Sequence, residues 1–205
     1  KVEVRELHLK IFYAPLLNAV ASLPDGELIL GTAEARARLS GIGFRDPEGA
    51  IRHLAALTKG TSRKARIQRN LLPVILRWLA DGTDPDFGLL AFRRLSDANR
   101  ETPWYLRLLR DGAEAAERLT RVLSHSRFAA ELLESIPEAV AWLERDEQLR
   151  PVALEVLLEE MRSLASRRST VDEAAAALRA VHRREVLRLA LGRLVFVNSD
   201  ADVAM

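Results

Sequence analysis

Hydrophobic residues along the chain recur every three to four positions, which is the spacing of one face of an α-helix. Leu7, Ile11 and Ala14 already follow this spacing near the start of the chain. Residues that favour strands are scattered, and only residues 195–197 form a short strand-like run. The pattern predicts an all-α protein, an irregular bundle of about ten helices joined by short loops.

Three of the predicted helices begin with the same device, a capping residue followed by proline. The side-chain oxygen of the capping residue accepts a hydrogen bond from a free amide of the first turn. Proline fits the first helical position because no amide hydrogen is needed there. The three pairs are Asp46-Pro47, Asp84-Pro85 and Thr102-Pro103, and their helices are predicted to end near residues 58, 99 and 109.

Proline and glycine also mark bends and boundaries along the chain. Residues 23–31 include Pro24, Asp25 and Gly26 and are predicted to form a linker. This boundary divides the chain into a helical segment at residues 1–22, the linker, and a helical body at residues 32–205. The other predicted helices cover residues 2–21 (bent at Pro15), 32–39, 62–81 (bent at Pro73), 113–123, 127–135, 137–143, 151–168 and 171–194.

The two ends of the chain indicate whether it is a whole protein or a piece of one. It begins at Lys1 inside a helical pattern and stops at Met205 after an aspartate-rich stretch. We therefore expect it to be a piece of a longer protein.

Charge and cysteine content narrow the class of protein. Lys and Arg number 31, Asp and Glu number 29, and the net charge is only +2. Such a balance does not attract nucleic acid through the overall field. The absence of cysteine excludes disulfides and thiol catalysis and fits a reducing cytoplasm. Because no apolar run approaches the ~20 residues that span a bilayer, we expect a cytoplasmic protein with neither a membrane nor a nucleic-acid partner.

The short acidic motif Asp200-Ala201-Asp202 is the strongest candidate for a metal site. Two carboxylates on one strand face the same side and can hold the divalent metal of a nucleotidyltransferase. Such a site also needs a Gly-Ser turn upstream and a third carboxylate downstream, and the chain has neither motif in these places. A solvated loop is the favoured interpretation.

The histidines offer no pattern for zinc or for a catalytic triad. A zinc site needs three or four converging ligands, and a triad needs a nucleophile turn and an acidic partner. A capping role for Ser124 or Ser126 explains the sequence around one histidine better. The sequence therefore predicts no catalytic, cofactor-binding or metal-binding residue, and the four histidines, His8, His53, His125 and His182, stand far apart.

Two basic clusters are the remaining candidates for binding. Each is interpreted either as a solvated helix face or as a contact with phosphate or with an acidic partner surface. The first cluster, for which the solvated face is favoured, consists of Lys59, Arg63, Lys64, Arg66 and Arg69.

The second cluster lies on the polar side of an amphipathic helix and alternates with apolar residues. It can dock an acidic surface of an adjoining domain, and Glu185 can pair with Arg188 at the surface. From the two clusters we select Arg63, Lys64, Arg66, Arg183 and Arg184 as predicted partner contacts; the second cluster consists of Arg179, His182, Arg183, Arg184 and Arg188.

Several motifs spread over residues 4–194 carry a resemblance to a known family. They include Gly-Phe-Arg-Asp-Pro-Glu-Gly-Ala at residues 43–50, Gly-Leu-Leu-Ala-Phe-Arg-Arg at residues 88–94 and Thr-Pro-Trp-Tyr-Leu at residues 102–106. Ser-Arg-Phe at residues 126–128 and Arg-Arg-Glu at residues 183–185 match as well. Together they resemble bacterial glutamine synthetase adenylyltransferase, the bifunctional enzyme that transfers and removes adenylyl groups.

The resemblance implies a place for this chain within a larger enzyme. In that family, helices join two nucleotidyltransferase cores; one removes AMP from a tyrosine of glutamine synthetase by phosphorolysis, and the other adds AMP from ATP. Residues 1–22 would be the last helix of the adenylyl-removing half, and residues 32–205 would lead into the adenylyl-transferring core. ATP and Mg²⁺ are implied for the parent enzyme, and no catalytic residue is assigned to this chain.

The implied partners are glutamine synthetase, a nitrogen-signalling protein and the adjoining cores. We therefore expect a non-catalytic helical connecting segment of an enzyme that controls nitrogen assimilation. The alternative hypothesis is a free-standing helical module for protein interaction.

Overall fold

The computed structural model describes residues 32–60, 63–99 and 102–199. The predicted helix at residues 2–21, the linker at residues 23–31 and the Asp200-Ala201-Asp202 motif lie outside these ranges, as does His8. All regular structure within the ranges is helical, which confirms the all-α prediction. The α-helices are α1 (Thr32–Gly41), α2 (Pro47–Thr58), α3 (Arg63–Ala80), α4 (Pro85–Ala98), α5 (Pro103–Asp111), α6 (Ala113–His125), α7 (Arg127–Ser135), α8 (Leu154–Ser166) and α9 (Val171–Leu194), and 3₁₀ helices cover Pro137–Glu144 and Asp146–Gln148.

Most predicted boundaries agree with the structure, and two local predictions differ. Residues 137–143 were predicted within the α-helical set, but Pro137–Glu144 is a tighter 3₁₀ helix. The strand-like residues 195–197 form a turn, because the carbonyl of Gly192 accepts hydrogen bonds from the amides of both Val197 and Asn198.

Only two of the three predicted capping residues form a side-chain capping hydrogen bond. Asp46 and Asp84 accept the predicted amide hydrogen bonds, from Gly49 and Phe87. Thr102 stands at the start of α5 without a side-chain capping bond. Proline alone therefore marks the start of α5.

Helix α6 lies at the centre of the bundle. It packs against α3, α4, α5, α7 and the first 3₁₀ helix, while α1 packs on α2 at one side. Its apolar side chains recur at helical spacing, so one broad face is buried. The buried apolar residues of α6 are Ala115, Ala116, Leu119, Val122 and Leu123.

Gly88 allows α4 to approach α6 closely. A Cβ atom at this position would lie 2.9 Å from Leu79 Cδ2 and 3.0 Å from the backbone of Ser124. Ser124 is itself buried, and its hydroxyl donates to the carbonyl of Thr120 within α6. Because any larger residue at position 88 would push these helices apart, the close packing depends on this glycine.

Leu119→Ala tests the central place of α6. Leu119 is fully buried, so we expect the substitution to lower the free energy of unfolding by about 3 kcal/mol through lost burial and a residual cavity. Leu154→Ala removes the same atoms from a side chain that is 63% exposed and should change stability by less than ~1 kcal/mol. Urea denaturation of both variants measures the difference, and equal losses would contradict a core centred on α6.

Candidate partner-binding surface

The second basic cluster lies on α9, which forms a pair with α8. Helices α8 and α9 pack against each other and are joined by residues 167–170; we call them the α8–α9 arm. Helix α8 has no buried residue. In α9 the buried residues lie between Val181 and Gly192, and α9 contacts α6 and α7. The arm therefore presents much of its surface to solvent.

Arg184 binds the two helices of the arm together. Its Nη1 and Nη2 atoms donate to the two carboxylate oxygens of Glu160 on α8, at 2.8 and 2.7 Å, and its Nε donates to Glu185 at 2.7 Å. The hydrogen bonds from Arg184 lower the pKa of Glu160, and those to Glu160 raise the pKa of Arg184. Glu160 is therefore not the simple surface charge that its helical position suggests, and the guanidinium of Arg184 is already engaged within the chain.

Arg188 attaches the arm to the rest of the bundle. Its guanidinium carbon lies 4.7 Å from the centre of the Trp142 ring, and Nη1 donates to the carbonyl of Gln148. Nε donates to Glu185 at 2.9 Å, which confirms the predicted pair. The two side chains are only 16% and 12% exposed, so the pair lies beneath the surface and not on it.

Three other basic side chains of the second cluster lie at the surface. Arg183, His182 and Arg179 are all exposed on the arm. Of the two arginines predicted to contact a partner on α9, Arg183 is thus the accessible one, whereas Arg184 is only partly exposed.

The first basic cluster surrounds the start of α3. Helix α3 begins at Arg63, but the side chains of Arg63, Lys64 and Arg66 fall outside the described part of the chain. Lys59 is exposed just after α2, and Arg69 donates from Nη2 to the carbonyl of Gly60. Arg69 therefore packs back onto the loop that leads into α3.

A contact that local sequence patterns did not predict joins the starts of α2 and α4. The carboxylate of Asp86 accepts hydrogen bonds from the amides of Arg45 and Asp46, at 2.8 and 3.0 Å. Its neighbour Asp84 accepts two hydrogen bonds from Arg127, which lower the pKa of Asp84. The acidic first turn of α4 thus connects three segments that are far apart in sequence.

His53 occupies a half-buried position beside arginines of α4. Arg93 Nη1 donates to His53 Nδ1 at 3.0 Å, so the proton of the neutral ring is on Nε2. Burial, followed by the positive charge of Arg93, lowers the pKa of His53. This environment favours the neutral imidazole.

The serines next to His125 have structural roles. The Ser126 hydroxyl accepts a hydrogen bond from the amide of Ala129 and caps α7, which confirms that predicted role. His125 Nδ1 lies 2.8 Å from the carbonyl oxygen of Arg121. These contacts explain the residues around His125 through helix ends.

The cavities of the bundle are shallow and open. The larger, of about 700 Å³, lies between α5 and α6 beside Trp104 and Arg107. Another, of about 410 Å³, is bordered by Trp78, Arg121 and Phe196. Among residues 32–60, 63–99 and 102–199, no three His, Asp or Glu side chains are grouped so that they could hold a metal ion. In the same ranges, no helix combines the length and apolar character needed to cross a membrane.

Glu160→Gln tests the bond between the two helices of the arm through pH. The pKa of Glu160 is lowered on folding. Its contribution to stability is therefore present above its ordinary pKa and is lost as pH falls through the lowered value. Glu160 is about one-third exposed. We therefore expect the free energy of unfolding of the unsubstituted chain to exceed that of the variant by less than about 1 kcal/mol at pH 7. The difference should shrink as pH falls through the lowered pKa of Glu160, as measured by urea denaturation at a series of pH values. Glu155→Gln, at an exposed position of the same helix, is the matched control for the loss of one carboxylate.

The chain is 57% identical over its whole length to a protein of Leifsonia xyli subsp. xyli, of which it covers 21%. It is 52% identical over 94% of its length to a protein of Streptomyces coelicolor and 46% identical over 95% to one of Cutibacterium acnes, covering 19% and 20% of them. All three are named bifunctional glutamine synthetase adenylyltransferase/adenylyl-removing enzyme. The chain thus spans about a fifth of the length of these relatives. No family model matches it, and no solved structure does.

Proposed function

Because this chain belongs, as one segment, to the family of bifunctional glutamine synthetase adenylyltransferase/adenylyl-removing enzymes, we propose that it is the helical connecting segment between the two catalytic cores of such an enzyme. The proposal assigns it a non-catalytic role, in which it holds the adenylyl-removing and adenylyl-transferring sites apart. ATP, Mg²⁺ and a cytoplasmic location belong to the parent enzyme in this proposal.

The observation that carries the proposal is the extent of the similarity. All of the chain matches the Leifsonia relative, yet it accounts for only 21% of that protein. The architecture suits a spacer, since α6 is enclosed by neighbouring helices, the arm is held together by Arg184, and Arg188 attaches it to the bundle. Densely packed helices resist deformation, and a spacer of this kind holds two sites at a set separation.

The proposal also includes contact with protein partners. The relatives' name identifies glutamine synthetase as the protein on which they act, and we extend this partner, together with a nitrogen-signalling protein, to the segment. Arg63, Lys64 and Arg66 at the start of α3 and Arg183 on α9 are the proposed contacts. Guanidinium groups suit carboxylates of an acidic surface because they form paired hydrogen bonds with them.

Charge reversal tests the proposed contacts. A variant with Arg63→Glu, Lys64→Glu, Arg66→Glu and Arg183→Glu should bind glutamine synthetase about tenfold more weakly at physiological salt, since like charges then face each other. Isothermal titration calorimetry measures the affinity, and the loss should shrink at 0.5 M salt because screening weakens exposed charges. Arg107→Glu reverses an exposed charge on α5 and serves as the control, with unchanged affinity expected. An affinity equal to that of the unsubstituted chain would contradict the assignment.

Arg184 needs a separate comparison because it also stabilises the arm. Arg184→Ala and Glu160→Gln both disrupt the Arg184–Glu160 bond, but only the first removes the guanidinium. If Arg184 contacts glutamine synthetase directly, Arg184→Ala should weaken binding at least ~3-fold more than Glu160→Gln, a difference of about 0.7 kcal/mol. Equal effects would restrict Arg184 to a role within the arm.

The native mass distinguishes a connecting segment from a free-standing module. We expect the protein recovered from its source cells to be several times heavier than the 22.9 kDa of this chain. Its peptides should include Gly-Ser and Asp-x-Asp motifs on both sides of the segment. Intact-mass and peptide mass spectrometry provide the measurement, and a native mass near 23 kDa would favour the free-standing module.

A further inference from the structure

Helix α9 ends in a turn that is locked by backbone hydrogen bonds. The amide of Val197 donates to the carbonyl of Gly192 at 2.8 Å, and the amide of Phe196 donates to the carbonyl of Arg193 at 3.3 Å. These two bonds define the Schellman arrangement, in which the residue just past the helix adopts a left-handed conformation. We call residues 195–198 the exit elbow.

Phe196 occupies the left-handed position of the exit elbow. Its φ is +62°, and it is the only residue other than glycine with a positive φ among those described. Glycine is the usual residue here because a Cβ atom makes this conformation unfavourable. A bulky aromatic residue at such a position is an outlier, and strained backbone of this kind concentrates where function demands it.

The ring of Phe196 compensates for this strain by contact with α6. The guanidinium carbon of Arg121 lies 4.2 Å from the ring centre, within the range of cation–π attraction. Arg121 Nε also donates to the carbonyl of Leu194 at 2.9 Å. One arginine of the central helix therefore holds both the end of α9 and the aromatic ring beyond it.

A second attachment holds the other end of the elbow. Asn198 is 4% exposed, and its Nδ2 donates to the carbonyl of Leu149 at 2.8 Å. A Cβ atom at Gly192 would lie 2.1 Å from this Nδ2 and 2.7 Å from the Leu149 carbonyl oxygen. Gly192 thus provides the space in which the Asn198 amide reaches the chain segment before α8.

From this geometry we infer that Phe196 and Asn198 are positioning residues that fix the direction in which the chain leaves the helical body. Attachment to two separate parts of the bundle, α6 and residue 149, removes the freedom that a simple glycine turn would leave. The functional meaning rests on the proposed connecting role: the elbow sets the direction in which the chain passes residue 199 on its way out of the bundle.

A distance measurement between two spin labels tests the inference directly. The chain contains no cysteine, so Ala56→Cys on an exposed position of α2 and Ser199→Cys on an exposed position just beyond the elbow give two unique labelling sites. Double electron–electron resonance should show one narrow distance distribution. Phe196→Ala, which removes the ring, and Asn198→Ala, which removes the Leu149 bond, should each broaden the distribution about twofold. A distribution in the unsubstituted chain as broad as in these variants would overturn the inference.

Two further variants distinguish the effect of the Phe196 ring from the effect of the turn conformation. Phe128→Ala removes another largely exposed ring, 57% against 68% for Phe196, and should leave the distribution unchanged; equal broadening would overturn the assignment to the elbow. Phe196→Gly keeps the turn without strain but lacks the ring, and we expect it to broaden the distribution as Phe196→Ala does. A narrow distribution in Phe196→Gly would overturn the role of the ring.

The measurement is independent of the proposed function. Circular dichroism melting of each variant verifies that the bundle is folded, and Phe196→Ala carries the test if Asn198→Ala unfolds the chain. The distance distribution reports only on the elbow. Failure of the connecting role would appear as a native mass near 23 kDa, whereas failure of the inference would appear as the broad distribution described above.

Discussion

The burial of α6 is the constraint on which the rest of the structure depends. Helices α3, α4, α5 and α7 all cover this one helix, and Gly88 lets α4 come close enough to bury Ser124. The partly exposed side of α6 has a different role. Arg121 on this side donates a hydrogen bond to the carbonyl of Leu194 at the end of α9. The same helix is therefore both the hydrophobic centre of the bundle and the support for the point at which the chain leaves it.

The α8–α9 arm is stabilised differently from the bundle. No residue of α8 is buried, so its attachment relies more on charged hydrogen bonds than on enclosed apolar side chains. Arg184 connects α8 to α9, and Arg188 connects α9 to Trp142 and Gln148. Two arginines of one basic cluster thus have internal partners, whereas Arg183, which directly precedes Arg184, is exposed.

Sequence patterns predicted those features whose causes are local. The caps at Asp46 and Asp84 and the full extent of α9 follow from neighbouring residues, and the structure agrees with them. The bond from Asp86 to the amides of residues 45 and 46 joins positions 40 and 41 residues apart, and no local rule indicates it. The candidate surface was predicted less completely. The sequence of a basic cluster does not indicate which of its residues bind an acidic side chain on another helix, as Arg184 does with Glu160.

The lack of burial in α8 has a consequence for the dynamics of the molecule. Segments with few enclosed side chains open at a free energy below that of global unfolding. Amide hydrogens of α8 would then exchange with solvent while those of α6 remained protected. The bundle would keep its shape during such openings, since α9 holds its own contacts with α6 and α7. Helix α8 is in this sense a separate cooperative unit that can detach from α9 and reattach without the core unfolding.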